Sequence, residues 1–416
     1  MRMKASTETL RRQNRALVLS ALRTLGPASH TDIAEWSGLS SATVSSITTE
    51  FEQEQILERL PPESGTAAGR GRPRVLLRHH ASWTYVIAVR ITSESVQYSL
   101  VDYSGTLKDR IEEKRPRDEL DVKAFSARFS AALARLAARS SLPHEKISKI
   151  SITSKGLVAR DRPVLLWSAI FGNSAIDFEV LLQPAWQAEI TLLNETRFVA
   201  QAVAEKLLAQ RVAGAPERIS TLSLGHSIGL GLAGKDKARR IKSVALPFGH
   251  MIHQPHGPLC RCGSHGCIEA FSGFYAILRK AFDVPEDTIP AKFIPLKQMD
   301  RIAAQARRGD RRAAYAFRQA GEVLGVGLSR VHSLYEPMPL TITGPGIRFL
   351  DLMLPALEAN LANNLVVRFA DAPKISIRDD EGELVFQGNV QACLSDLDAD
   401  NHELNAEAQA LLKVEE

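Results

Sequence analysis

Gly249-His250-Met251-Ile252-His253-Gln254-Pro255-His256-Gly257-Pro258-Leu259-Cys260-Arg261-Cys262-Gly263-Ser264-His265-Gly266-Cys267-Ile268-Glu269 gathers three of the chain's four cysteines within eight residues, and a histidine stands ten positions before the first of them. Cysteine thiolates and a neutral imidazole are the usual ligands of tetrahedral zinc, and a closed Cys₃His set is a structural type. His250, Cys260, Cys262 and Cys267 are therefore the candidate ligands of Zn2+, with His253, His256 and His265 competing for the histidine position. Gly263 and Gly266 let the backbone bend sharply, so that Cys262 and Cys267 converge on one ion. With Cys393 as the one distant cysteine, the distribution fits a reducing compartment, where such thiols bind metal rather than pair. The motif predicts a metal and, alone, no activity.

Around it lies a chain of 416 residues, 44% hydrophobic and 24% charged, an ordinary globular composition long enough for two or three domains. No apolar run reaches the length of a membrane span. The first residues open into a polar helix with no apolar signal-peptide core, so the reading is a cytoplasmic protein with no membrane partner. The net charge of +5 is unevenly spread. Residues 1–24 carry Arg2, Lys4, Arg11, Arg12, Arg15 and Arg23 against Glu8 alone, and residues 70–78 carry Arg70, Arg72, Arg74 and Arg78 with no acid. Such patches attract nucleic acid, although a solvated charged face is their commoner origin, so they need a motif between them.

That motif follows an amphipathic helix over 9–24. A short helix from Thr31 to Trp36, a turn at Gly38 and a helix starting near Ser41, capped by Ser40 or Ser41, form a helix-turn-helix pattern. Leu39, Val44 and Ile47 are its inward positions. Ser41, Ala42, Thr43, Ser45, Ser46 and Thr49 face outward, where small hydroxylated side chains suit a major-groove wall and phosphate oxygens. Ile56-Leu57 and Val75-Leu76-Leu77 read as paired strands. The Gly/Pro-rich loop between them, ending in Arg70, Arg72 and Arg74, stands where a winged helix places its wing.

From Trp83 onward apolar strands alternate with helices, the sign of α/β architecture. Strands at Tyr85–Ile91, Ser95–Val101 and Thr106–Arg110 form a meander. A helix over 121–139, strands at Ile147–Thr153 and Glu189–Leu193, and a helix over 196–209 follow. A second meander runs from Thr221–Leu224 through Ile228–Gly231 to Ala238–Ile241. Helices dominate 268–335, and late strands stand at Pro339–Thr343 and Lys374–Ile377. Two successive units of this kind predict a duplicated fold with a cleft between its halves. The division is a DNA-binding domain over 1–80, a first lobe over 81–200, a second lobe with the metal motif over 201–395, and a tail over 396–416 with no assigned function.

The helix-turn-helix with Gly69-Arg70-Gly71-Arg72-Pro73, the Gly249-His250 pair, and Cys260-x-Cys262-Gly263-x-x-Gly266-Cys267-x-Glu269 together resemble the ROK family, which groups bacterial sugar kinases with repressors of sugar genes. The resemblance covers about residues 9–395 and points to the repressor branch. It implies a winged helix-turn-helix followed by two lobes of the actin-like ATPase, or sugar-kinase-like, fold, with zinc beside a sugar pocket. Carried over by position, it makes Asn194, Glu195, His250 and Glu269 ligand-binding residues. It also marks departures. The kinases' Asp-x-Gly-Gly-Thr phosphate turn reads Arg90-Ile91-Thr92-Ser93-Glu94, which removes an acid and the close backbone approach that phosphate needs. The second turn reads Gly225-His226-Ser227-Ile228-Gly229. Glu195 stands for the catalytic Asp, one methylene longer, and Pro247 replaces a sugar-binding Glu. The segment Ser168–Asn173 matches the family's sugar-binding segment poorly.

The resulting expectation is a regulator without enzymatic activity. Double-stranded DNA with a pseudo-palindromic operator and a sugar-type effector are its partners, and it forms a homodimer or homotetramer. The N-terminal arginines supply phosphate contacts, and DNA binding is strongly salt-dependent.

Overall fold

Ser29 opens the second helix with a reciprocal cap: its hydroxyl oxygen accepts from the Asp32 N–H, while the Asp32 carboxylate accepts from the Ser29 N–H. Gly38, at φ 73°, closes that helix, and Ser40 caps the next by accepting from Thr43 N. The N-terminal unit is thus α1 (Thr7–Leu25), α2 (His30–Ser37) and α3 (Ser41–Gln53), followed by the antiparallel pair β1 (Leu57–Arg59) and β2 (Leu77–His79). The second strand begins two residues later than expected, because Leu77 and His79 turn inward while Arg78 and Val75 are exposed. The computed structural model describes residues 7–61, 75–116, 121–208, 216–235, 241–369 and 373–412. Arg70, Arg72 and Arg74 lie outside the described residues.

The first lobe comprises β3 (Tyr85–Ile91), β4 (Ser95–Asp102), β5 (Leu107–Lys114), α4 (Val122–Arg139), β6 (Ile147–Ser154), β7 (Leu157–Val158), β8 (Val164–Trp167), β9 (Ile176–Asp177), α5 (Phe178–Leu182) and β10 (Glu189–Asn194). Then come α6 (Glu195–Leu208), β11 (Arg218–Ser223), β12 (Gly229–Lys235), β13 (Ile241–Leu246), α7 (Glu269–Ser272), α8 (Phe274–Ala281), α9 (Leu296–Arg307) and α10 (Arg311–Tyr335). The chain continues with β14 (Leu340–Thr343), α11 (Leu350–Ala362), α12 (Leu365–Phe369), β15 (Ile375–Ile377) and α13 (Glu381–Leu412).

The two large sheets have one topology. Their orders are β5-β4-β3-β6-β10 and β13-β12-β11-β14-β15, each an antiparallel meander extended by two parallel strands. This is the expected duplication. In β3 the alternation of side chains sorts the core: Ile87, Val89 and Ile91 pack toward α4, whereas Val86 and Ala88 pack toward the N-terminal unit and α13.

Three boundaries move. The described third strand of the second meander runs Ile241–Leu246, further along the chain than the expected Ala238–Ile241, of which residues 238–240 lie outside the described residues. The cut between lobes at 200 falls inside α6, which follows β10 directly yet packs on β11, β12 and β13. The supposed tail from 396 is the continuation of α13. Its Val390, Cys393, Leu394 and Leu397 share one buried cluster with Val18, Leu22, Val44 and Phe51 of the N-terminal unit. This helix also crosses α6 closely at Gly388, where a Cβ would lie 2.1 Å from the Phe198 carbonyl oxygen.

Candidate metal centre and lobe junction

His250 ends the short turn after β13, and the loop behind it folds the three cysteines back onto it. Gly266 makes that possible: its φ is +76°, and a Cβ there would lie 1.6 Å from the Gln254 carbonyl oxygen. Cys260 Sγ stands 3.6 Å from His250 Nδ1 and Cys262 Sγ 3.7 Å from Cys267 Sγ, with all four ligand atoms within 4.8 Å of one another. Metal–ligand bonds of about 2.3 Å to sulfur and 2.0–2.1 Å to nitrogen at tetrahedral angles require S···S of about 3.8 Å and N···S of about 3.5 Å. The donor set and both spacings are compatible with zinc. Hydrogen bonds with Cys260 and then Cys267 drive the Cys262 thiol well below its ordinary range, while contacts with Cys260 and then Cys262 hold the Cys267 thiol up. The Tyr275 hydroxyl donates to Cys260 Sγ at 3.5 Å and orients it. The competing histidines do not join the group. His265 faces Asp287 at 3.3 Å, His253 stands edge-on to Phe271, and His256 is exposed.

Beside this centre, Glu269 is buried at the start of α7, and its Oε2 accepts from Ile228 N at 3.1 Å. Burial raises its pKa. Trp167 reaches over from the first lobe to stand edge-on to the His250 ring at 5.2 Å. Asn194 caps α6: its Oδ1 accepts from Thr196 N at 3.1 Å, and its Nδ2 donates to the Gly156 carbonyl at 3.0 Å.

Glu195 is held in a four-charge group whose two carboxylates are buried and whose two cations are half-buried. Its carboxylate lies 3.0 Å from Arg90 Nε and 3.2 Å from Lys155 Nζ, and Glu381 lies 3.7 Å from both cations. Lys155 also donates to Ser223 Oγ at 3.1 Å, and the Ser223 hydroxyl donates to Glu381. Arg90 is next to last in β3, Lys155 follows β6, Ser223 ends β11 and Glu381 starts α13, so the group ties the two sheets together. Burial opposes ionisation of Glu195, but Arg90 and then Lys155 outweigh it and hold the carboxyl below its usual range. A carboxylate so held is a poor proton acceptor. Nearby His226 is pushed down to about 4 by burial, reinforced by the charges of Arg261 and Lys155. Sequence reasoning noticed Arg90 and Glu195 but missed Lys155, Ser223 and Glu381, which are brought in from distant segments.

On α3, Ser41, Ala42, Ser45, Ser46 and Thr49 are exposed and Thr43 is half-buried beside Ser40. The N-terminal arginines differ from expectation. Arg11 pairs with Glu50 at 3.0 Å, and Arg15 is buried between Glu50 and Glu54. Arg12 Nε donates to the Ala399 carbonyl, and Arg23 is buried against Asp398. Each binds its own protein because α1 is packed against both α3 and α13.

A duplicated sheet topology preceded by a winged helix-turn-helix defines a sugar-kinase-like protein fused to a DNA-binding unit. Residues 86–389 match the model of the ROK family and residues 13–64 that of the MarR family. The chain belongs to the ROK family. Its relatives include the DNA-binding transcriptional repressor Mlc of Escherichia coli, 22% identical over 85% of this chain and 86% of that protein. The xylose repressor of Bacillus subtilis is 22% identical over 86% and 88%. A crystal structure of a ROK family transcriptional regulator, a homologue of E. coli Mlc, superposes with a TM-score of 0.72 at 21% identity, over 94% of this chain and 97% of that one. A ROK family glucokinase from Streptomyces griseus, solved with glucose and AMPPNP, gives 0.54 at 20% identity, over 74% and 98%. Both likenesses show the shared fold. Among the described residues no helix is long and apolar enough to cross a membrane.

Proposed function

We propose that the chain is a transcriptional repressor of carbohydrate genes, with no kinase activity, whose operator affinity responds to a carbohydrate bound at the lobe junction. The observation that carries this reading is the Arg90–Glu195 ion pair, with Nε and Oε2 3.0 Å apart. By the family resemblance Arg90 stands in for the kinases' phosphate-turn acid and Glu195 for their general base, and a carboxylate engaged by that cation supports a reading without phosphoryl transfer. The relatives named as repressors support the same reading.

In this reading Ser41, Ala42, Thr43, Ser45, Ser46 and Thr49 of α3 lie against the major groove, and Arg70, Arg72 and Arg74 reach a minor groove. His250, Cys260, Cys262 and Cys267 hold a structural zinc, which supplies a fixed cross-link for the loop carrying His250. Asn194, Glu195, His250 and Glu269 border the carbohydrate. A homodimer or homotetramer presents two copies of α3 to a pseudo-palindromic operator, and the ligand acts by favouring one of their spacings.

Selection of genomic DNA fragments by the purified protein at near-physiological salt tests the reading. Enrichment of a few palindromic sites beside carbohydrate transport or catabolic genes is expected; no enrichment over bare resin sinks it. Incubation with ATP and a panel of hexoses is expected to yield no sugar phosphate, and turnover would establish a kinase that retains a DNA-binding unit.

A further inference from the structure

Arg261 stands between two candidate metal ligands, so its backbone is fixed on both sides. Its guanidinium carbon lies 4.5 Å over the Tyr275 ring. Its Nε and Nη2 are buried and have no acceptor among the described residues. These two nitrogens share one edge of the guanidinium plane, the edge that grips a carboxylate or phosphate with two parallel hydrogen bonds. Elsewhere in the chain that edge does so: Arg23 Nε and Nη2 hold Asp398 at 2.9 and 3.1 Å, and Arg307 holds Asp351 at 2.9 and 2.7 Å.

At Arg261 the fork has no hydrogen-bond acceptor among the described residues, although its charge acts on the buried Glu269. Burying a charged donor without an acceptor is costly, and native structures rarely leave one so. Two further orphans lie within reach of its charge, His226 Nδ1 and Glu269 Oε1, contributed by two other segments. The other cations of the junction, Arg90 and Lys155, are already matched by Glu195 and Glu381. A fork without an acceptor among the described residues, whose charge is felt by a ring nitrogen and a carboxylate oxygen that suit hydroxyls, is the complement of a sugar bearing a single acidic group.

We infer that the ligand of the lobe junction is an anionic carbohydrate, a sugar acid or a sugar phosphate, and that Arg261 binds its charged group. The inference rests on the effector reading proposed above and narrows it.

Calorimetric titration of the full chain as purified tests it. The probes are glucose and galactose, the matching acids glucuronate and galacturonate, and glucose 6-phosphate, with acetate and inorganic phosphate as sugar-free anions. At least one acidic sugar is expected to bind about tenfold or more tighter than its neutral parent, and neither simple anion reproduces the binding. The carboxylate and phosphate arms distinguish the two sources of charge. R261Q is expected to bring the acid-to-neutral ratio close to one. R261K, which keeps the charge but not the two-pronged edge, is expected to lose most of the preference, and it stands in if R261Q does not fold. Neutral sugars binding as well as the acids, both variants weakening acid and neutral sugars alike, or acetate or phosphate sufficing alone, would overturn the inference and leave a carbohydrate effector or an anion site standing. If no probe binds, the effector reading falls and this inference with it.

Discussion

Tyr275 donates to one thiol and Glu195 engages two cations, and each contact makes a claim that one substitution checks. Outer-shell hydrogen bonds commonly contribute about 10- to 100-fold to metal affinity. Tyr275→Phe, which removes the donor to Cys260 Sγ, is therefore expected to weaken zinc retention about tenfold in competition with a chromophoric chelator; unchanged affinity would deny that contact a role. Glu195 is almost fully buried between two cations. Removing one member of a buried ion group strands the others, at a cost of about 3–5 kcal/mol. Glu195→Ala is expected near the low end of that range in urea denaturation, because Arg90 and Lys155 keep partial solvent access. Legibility differed between these groups for a physical reason. The cysteines and His250 lie in one loop, where spacing along the chain nearly equals proximity in space. The four charges around Glu195 meet only after two sheets have formed, and no local pattern marks Lys155 or Glu381.

α13 is the element that the sequence reading lost. Its Val390, Cys393, Leu394 and Leu397 follow the i, i+3, i+4, i+7 spacing of an apolar helix face, so the signal was present; the acidic residues that follow masked it. Asp398, next on that face, is buried and receives both nitrogens of the Arg23 fork and the Tyr103 hydroxyl. Asp398→Ala leaves the buried Arg23 without its counter-charge and is expected to destabilise the N-terminal unit by about 3 kcal/mol or more. Hydrogen exchange is the discriminating measurement. Amides of α1–α3 should lose protection while those of α10 and α11 keep theirs, and a uniform loss would mean that Asp398 supports the whole chain instead.

The molecule as a whole is less divided than its sequence suggested. The duplicated sheets were legible from alternating apolar strands and helices, but the domain cuts were not. The N-terminal unit shares one core with β3, β4 and α13, and α6 serves the sheet after it. Its pH response also belongs to this scale. Burial, and next the charge of Arg23, pushes His79 down to about 3, and burial pushes His226 down to about 4. Unfolded histidine takes up its proton near pH 6.5, so below that pH the unfolded chain binds protons that the folded chain refuses. Stability contributed by these neutral rings is full above pH 6.5 and falls as the pH drops toward 4, and toward 3 for His79. The limiting slope is about 1.4 kcal/mol per pH unit for each histidine. Burial lowers His253 and His332 in the same sense, so urea midpoints between pH 6 and 5, above the carboxylate range, should decline, and His79→Gln should make that decline shallower without abolishing it.

Glu381 and Asp398 stand on one continuous helix, the first in the charged group at the lobe junction and the second against Arg23. Asp398 follows Glu381 by seventeen positions, a rise of about 26 Å at 1.5 Å per residue. Both positions are keyed, so the helix is a shaft with a fixed angular setting. One residue inserted between them would swing Asp398 by about 100° and carry it off Arg23, whereas seven would nearly restore the angle and leave it about 10 Å too far. The span between the lobe junction and the DNA-binding unit is thus set by torsion as well as by length.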